Sequence, residues 1–488
     1  MTNCAVVLSA TLDLLATGTT DQLPTSRPAR AARADATEAQ LAAPTFGGRK
    51  GIDLTSADVR SLLGQLLCEN PLGDQEPCAA FRCQAPQIIL PLPMSASSAP
   101  ATLRSFFALD LLDNRYPALH GLRVLAIVTV VQFHITWIFF GEQSISLDRG
   151  FVDASLTIFF GMDLFFMLSG FLIGSILLRS LQLDGTQNLK RFYLRRILRT
   201  FPSYYIVLTV LALATTLTVA QRHNLKWEYL YLTNFLPLGR TDALMFWGWS
   251  LGLEEQFYLT VPILFFVLHR LASDRRRIAL LVTLWTAGIV IRLFIYLRHG
   301  PWTDLGLYSA LYFRTHTRFD TIAAGILLAF VQHRYGDAIG LWLQHPRHRA
   351  MLALPSLACL WLLLRPSMFG DEHVQLVHVF AWGTVTTVMY FGVLLLLLHG
   401  EGWIHRGLSA GVFRRIATLG YGVYLVHIPL CDHVIVPAAR ALQKRHVSML
   451  LVWPASLVAL MVGSFVVAYV MHVLIEKPSM KLRQMFAA

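Results

Sequence analysis

From about residue 118 to the C-terminus, apolar runs long enough to cross a bilayer follow one another almost without pause. A span needs roughly 20 mostly apolar residues, with a range of about 17–25. Lipid offers no partner to open backbone groups, so runs of this length are expected to be helical. Ten candidates can be marked, at about 118–140, 157–178, 201–220, 254–270, 278–297, 319–333, 350–364, 375–399, 416–436 and 449–475. The sixth and seventh are short. The expected fold is all-α, a polytopic membrane protein of about ten transmembrane helices with a disordered N-terminal tail. Composition agrees: 14% of residues are charged, against about 25% in soluble domains.

Residues 1–105 read differently. They are rich in Ala, Thr, Pro and Gly, without sustained periodicity, and are expected to be disordered. The first residues lack the basic start of a signal peptide, and the composition changes abruptly after Met94, a candidate start. The tail holds 8 Lys/Arg and 9 Asp/Glu, so the net charge of +12 belongs to the apolar remainder. Basic stretches such as "LKRFYLRRILR", "HRLASDRRR" and "HRGLSAGVFRR" fall between alternate spans. The positive-inside rule makes those loops, and both termini, cytoplasmic in an inner-membrane protein. No basic-aromatic recognition module is present, so nucleic acid is not an expected partner. Cys78 and Cys83 lack a matching second pair at zinc spacing, and no metal site is expected.

Charged or titratable residues inside apolar runs need a reason. In "HGLRVLAIVTVVQFHITWIFF", Arg123 and His134 are 11 residues apart. That is three helical turns plus roughly 20°, so they share a face about 16 Å apart along the axis. Arg123 could instead snorkel to headgroups, and His134 could be a packing residue. "GMDLFFMLSGFLIG" supplies Asp163 and the small Ser169 and Gly170, which permit close helix approach. "LKRFYLRRILRTFPSYY" crowds Arg195, Arg196 and Arg199 into one turn, as a membrane anchor or a phosphate site. "WGWSLGLEEQFYL" sets Trp249 and the paired acids Glu254 and Glu255 at the expected outer entrance of a span. "HTRFDTIAAG" puts Arg318 and Asp320 at the mouth of the next charged helix, where they could pair. "LGYGVYLVHIP" carries His427, whose place beside a proline suggests a structural role.

Taken in order, these stretches resemble the integral-membrane acyltransferase family 3, over about residues 113–483. Arg123 and His134 match its arginine, ten residues, histidine motif. "GMDLFFMLSGF", "RRILRTFPSYY" and "WSLGLEEQFY" match three more. His120 departs from an aspartate common there, and Gly420 and Gly422 depart from serines.

The resemblance implies an O-acyltransferase that takes an acyl group, acetyl or another short one, from cytoplasmic acyl-CoA to a hydroxyl of a carbohydrate. On that reading Arg195, Arg196 and Arg199 meet the coenzyme's phosphates. His134 is general base or acyl carrier, with Arg123 and Glu254 in the catalytic group. Glu255, Asp163, Ser169, Trp249, Arg318 and Asp320 contact substrate. The chain stops just after its tenth span, so transfer would fall to the membrane domain itself. The competing expectation is a saccharide or small-anion transporter that does no acyl chemistry.

Overall fold

In the computed structural model of the protein the described residues are 107–486, apart from 110, 143–144, 146, 185–188, 238, 300–305, 307 and 365–380. The tail expected to be disordered lies outside them. Among the described residues every regular element is helical, as backbone confined to lipid requires.

The long helices are α1 (Ala118–Trp137), α2 (Gly161–Asp184) and α3 (Leu189–Ala214). A short amphipathic helix, α4 (Val219–Tyr229), leads to α5 (Trp249–Arg270) and α6 (Asp274–His299). Then come α7 (Thr315–Trp342), α8 (Pro346–Leu363), α9 (Thr386–Leu398), α10 (Gly420–Leu430) and α11 (Met449–Met471).

Seven described helices are long and apolar enough to cross a membrane. The other three expected spans are helical over their described residues, 375–380 of the eighth lying outside them, and fall short of that standard. Arg318, Asp320, Arg334 and Asp337 interrupt α7, Arg347 and Arg349 open α8, and the described residues of α9 number 13.

Small residues set the packing. A Cβ on Gly170 of α2 would collide with the backbone of Ile322 on α7, and one on Gly325 of α7 with Met167 of α2. Close backbone approach of this kind is how helices associate where no water drives them together. The α2 span is 72% buried inside the protein whereas that of α6 is 17% buried, so α2 is central and α6 peripheral.

The chain between α4 and α5 is irregular yet interior: Thr233, Asn234, Ala243 and Met245 have no exposed surface. Buried irregular backbone needs partners. Glu228, at the end of α4, supplies them, with one carboxylate oxygen accepting from Leu244 N at 2.9 Å and the other from Met245 N at 2.7 Å. Burial pushes the Glu228 carboxyl up to about 7, against the opposing pull of those two N–H donors. On the facing side Gln256 Nε2 donates to Tyr231 O and to Asn234 Oδ1, both at 2.9 Å. With this segment tucked inside, α5 begins within the protein.

Candidate active site

Five elements converge on a cavity of about 310 Å³. Helix α1 contributes Arg123, α2 contributes Ser169 and Arg179, α3 contributes Arg196 and Arg199, and α5 contributes Ser250, Glu254 and Tyr258. Tyr421 and Tyr424 come from α10. Arg115, before α1, brings the arginines to five, and the acids on the wall are Asp113 and Glu254. Arg196 and Arg199 are three apart on α3, hence on one face.

The walls are tied together by hydrogen bonds. Ser169 and Tyr258 hydroxyls lie 2.8 Å apart, and the Arg196 guanidinium stands 4.8 Å from the centre of the Tyr258 ring. Glu254 has Ser169, Arg196 and Arg123 as its electrostatic neighbours. At the other end Tyr424 Oη donates to the Trp247 carbonyl at 2.7 Å. Its single proton being used there, it accepts from Ser250 Oγ at 2.6 Å.

One turn beyond Tyr424 on α10, His427 meets His134. Nε2 of His427 and Nδ1 of His134 are 3.1 Å apart. Nδ1 of His427 is 2.7 Å from the Tyr424 carbonyl. A carbonyl can only accept, so this Nδ1 carries the proton and Nε2 of neutral His427 is left with its lone pair. That lone pair accepts from Nδ1–H of His134. The proton of neutral His134 is thereby held on Nδ1, and its own Nε2 is a bare base. His427 has no exposed surface, whereas His134 keeps some.

The residues singled out in the sequence separate into groups. Arg123, Ser169, Arg196, Arg199 and Glu254 come together on the cavity wall. Glu254 stands beside Arg123 and Arg196, not at an outer entrance, because α5 begins inside the protein. Arg195 points away and is exposed. Glu255 faces Thr200 and a group of tyrosines, off the cavity.

Trp249 is 5% exposed and packs its ring against Phe166 and Phe313, with centroids 5.9 and 5.0 Å away. Asp163, Arg318 and Asp320 differ most from the substrate-contact expectation. All three are fully enclosed: Arg318 pairs with Asp163 at 2.6 Å and Asp320 with Arg292 of α6 at 2.8 Å. Arg318 also lies 4.6 Å from the centre of the Tyr312 ring. These pairs join α2, α6 and α7, and none of the three residues reaches the cavity.

His427 was read from the sequence as structural. The rule that made His134 a candidate, a titratable group inside a span, applies equally to it. Arg292, in the middle of α6, could have been found the same way. Among the described residues no cluster of His, Cys, Asp and Glu could hold a metal ion.

A bundle of membrane helices enclosing an arginine-lined cavity, with a histidine pair one turn from the cavity residue Tyr424, defines the class as a polytopic membrane protein with a cationic internal cavity. The comparisons narrow this. The family model described as "Acyltransferase domain" matches residues 116–473, and the chain belongs to that family, acyltransferase family 3. Peptidoglycan O-acetyltransferase OatA of Listeria monocytogenes is 26% identical over 334 residues, which cover 64% of this chain and 49% of that protein. A Staphylococcus aureus (strain COL) protein provisionally named an O-acetyltransferase is 26% identical over 345 residues, 65% of this chain and 51% of its own. A Bacillus subtilis protein provisionally named a peptidoglycan O-acetyltransferase is 26% identical over 339 residues, 65% and 49%. The chain thus spans about half the length of these relatives. No solved structure matches it.

Proposed function

We propose that the protein is an O-acyltransferase of the inner membrane, with both termini cytoplasmic, that moves acetyl or another short acyl group from acyl-CoA to a carbohydrate hydroxyl. The observation that carries this reading is the five-arginine cavity whose wall ends in Ser250 and Tyr424, with the carbonyl of Tyr424 bonded by His427 of the histidine pair. Guanidinium forks suit phosphate oxygens, and coenzyme A presents several phosphates on a long flexible arm. Arg123, Arg196 and Arg199 hold that head. The arm runs past Phe165, Phe166 and Leu251 toward Ser250 and Tyr424. Glu254 tempers the charge among the arginines. Because Arg123 and His134 are about 16 Å apart along α1, Arg123 acts on the coenzyme head and not on the reacting carbonyl.

The step needs little from the protein, since a thioester is already activated. Nε2 of His134 takes the proton of the acceptor hydroxyl while its oxygen bonds to the thioester carbon. The C–S bond then breaks, and the departing thiolate takes that proton to become the free thiol. Atoms and charge balance without a further reactant. The relatives named for peptidoglycan favour a glycan acceptor.

Purified protein in liposomes with acetyl-labelled acetyl-CoA and a glycan tests the reading. Label recovered covalently on the saccharide is expected. Saccharide crossing the bilayer unmodified, with no labelled product, would replace the enzyme by a transporter.

A further inference from the structure

We infer that a second cavity, across Tyr424 from the arginine-lined one, is the docking site of the acceptor, a neutral polyol or sugar held by Asp432, Arg240 and Trp247. This rests on the acyl-transfer reading above and adds the place and chemistry of the second substrate.

The cavity measures about 160 Å³, and its wall includes Arg240, Phe246, Trp247, Pro429, Asp432 and His433. Helix α10 runs into it through Pro429, and α1 comes near it at Arg240. Trp137, one turn after His134, has the Arg240 guanidinium 5.9 Å from the centre of its ring, and Arg240 lies within electrostatic reach of His134 itself. Pro429 follows His427 by two residues. The hydrogen bond from Tyr424 to the Trp247 carbonyl crosses the partition, since Tyr424 faces the arginine cavity and Trp247 this one. Tyr424, one turn from His427, therefore stands between the two spaces, with the histidine pair beside it.

At this end both helices loosen in the same way. Helix α1 passes into a π turn at Ile138–Glu142, and α10 into another at Cys431–Ile435 that carries Asp432 and His433. Such turns inside helices are frequent at functional sites.

The polar groups are arranged for a neutral ligand. Arg240 and Asp432 pair at 2.7 Å, so the cavity wall carries no net charge, unlike the arginine cavity. Yet two polar atoms lack a hydrogen-bond partner within the protein: Asp432 Oδ1 and the indole N–H of Trp247, a residue only 2% exposed. Leaving such buried groups unmet is unfavourable. A hydroxyl-rich ligand answers both, donating to the carboxylate and accepting from the indole, while its C–H faces lie on Phe246 and Trp247. His433 is exposed at the mouth.

The test is steady-state transfer of label from acetyl-CoA to a β-1,4-linked N-acetylglucosamine tetrasaccharide by the wild-type full chain, Asp432→Asn and His433→Trp. Asp432→Asn removes the charge at constant shape; His433→Trp narrows an exposed mouth and keeps the test open if the first variant folds poorly. The expected result is a KM for tetrasaccharide raised about tenfold or more, the loss of one good polar contact, with the KM for acetyl-CoA unchanged. If the wild type transfers label and both variants keep its tetrasaccharide KM, this docking site is wrong and the acyl-transfer reading stands. A parallel loss toward both substrates means scaffolding and overturns the site as well. No label on the tetrasaccharide from the wild type takes down the glycan-acylation reading beneath it.

Discussion

The Asp163–Arg318 and Arg292–Asp320 pairs sit at 0% exposure with a carboxylate set against each guanidinium, whereas five arginines share the wall of one open cavity with two acids. Sequence marks Arg123 of the second group much as it marks Asp163, Arg318 and Asp320 of the first, as charges within or at the mouth of apolar runs. Their arithmetic separates them. The enclosed group sums to zero within itself. The cavity wall is strongly cationic, and on the proposed reading it is completed by an anion. In a membrane protein, charge balance within a cluster divides what fastens helices from what binds substrate.

The sharpest test of that division is His134→Ala. Transfer should drop about 10²–10⁴-fold, the usual worth of a general base, while yield and thermal midpoint stay near wild type. Wild-type turnover would sink the catalytic half of the comparison. The enclosed half breaks in the opposite manner. Arg318→Met strands Asp163 without its partner, and losing one member of a buried pair costs about 3–5 kcal/mol. Thermal unfolding in detergent should show that loss, and Asp163→Leu added to it should recover much of it. A stable Arg318→Met with a selective change in donor KM would move Arg318 into the binding site.

His427 lies between these extremes as a positioning residue. His427→Phe removes the acceptor for the Nδ1–H of His134 and should lower kcat about 10–100-fold, as removing a residue that orients a functional histidine commonly does. His427→Gln can still accept that hydrogen bond and should recover part of the rate. Equal damage from both variants would leave His427 a packing residue. The smallest effects concern the donor. Arg196→Gln and Arg199→Gln should each raise the KM for acetyl-CoA about tenfold, one lost charge-assisted contact. Exposed Arg195→Gln should change it less than about threefold by the same reasoning. Equal effects at all three positions would make this turn a diffuse membrane anchor.

The helical fold was legible because lipid leaves the backbone so few choices, and seven expected spans recur as long apolar helices. Depth was not legible. Glu254 reads as the outer mouth of a span only if α5 begins at the membrane surface. The segment Thr233–Gly248 folds inward against Glu228 and Gln256 instead, through contacts that no local pattern announces. Partnership across the sequence was equally hidden. His134 and His427 are 293 positions apart, and Asp163 and Arg318 are 155 apart. Helical periodicity gives the face of one helix, not which helix it meets. Arg240 was hidden because a charge between spans reads as ordinary loop charge.

Two imidazoles at 3.1 Å also limit how the site resets between turnovers. Both rings cannot be cationic at that separation, because like charges so close and so dry repel too strongly. The pair therefore stores a single proton, and until that proton departs with the sulfur a second acceptor finds no base to receive its own. On the proposed acyl-transfer reading this sets an order of events: the donor is in place before the acceptor is activated, and an acceptor that arrives alone meets a base with nowhere to send its burden.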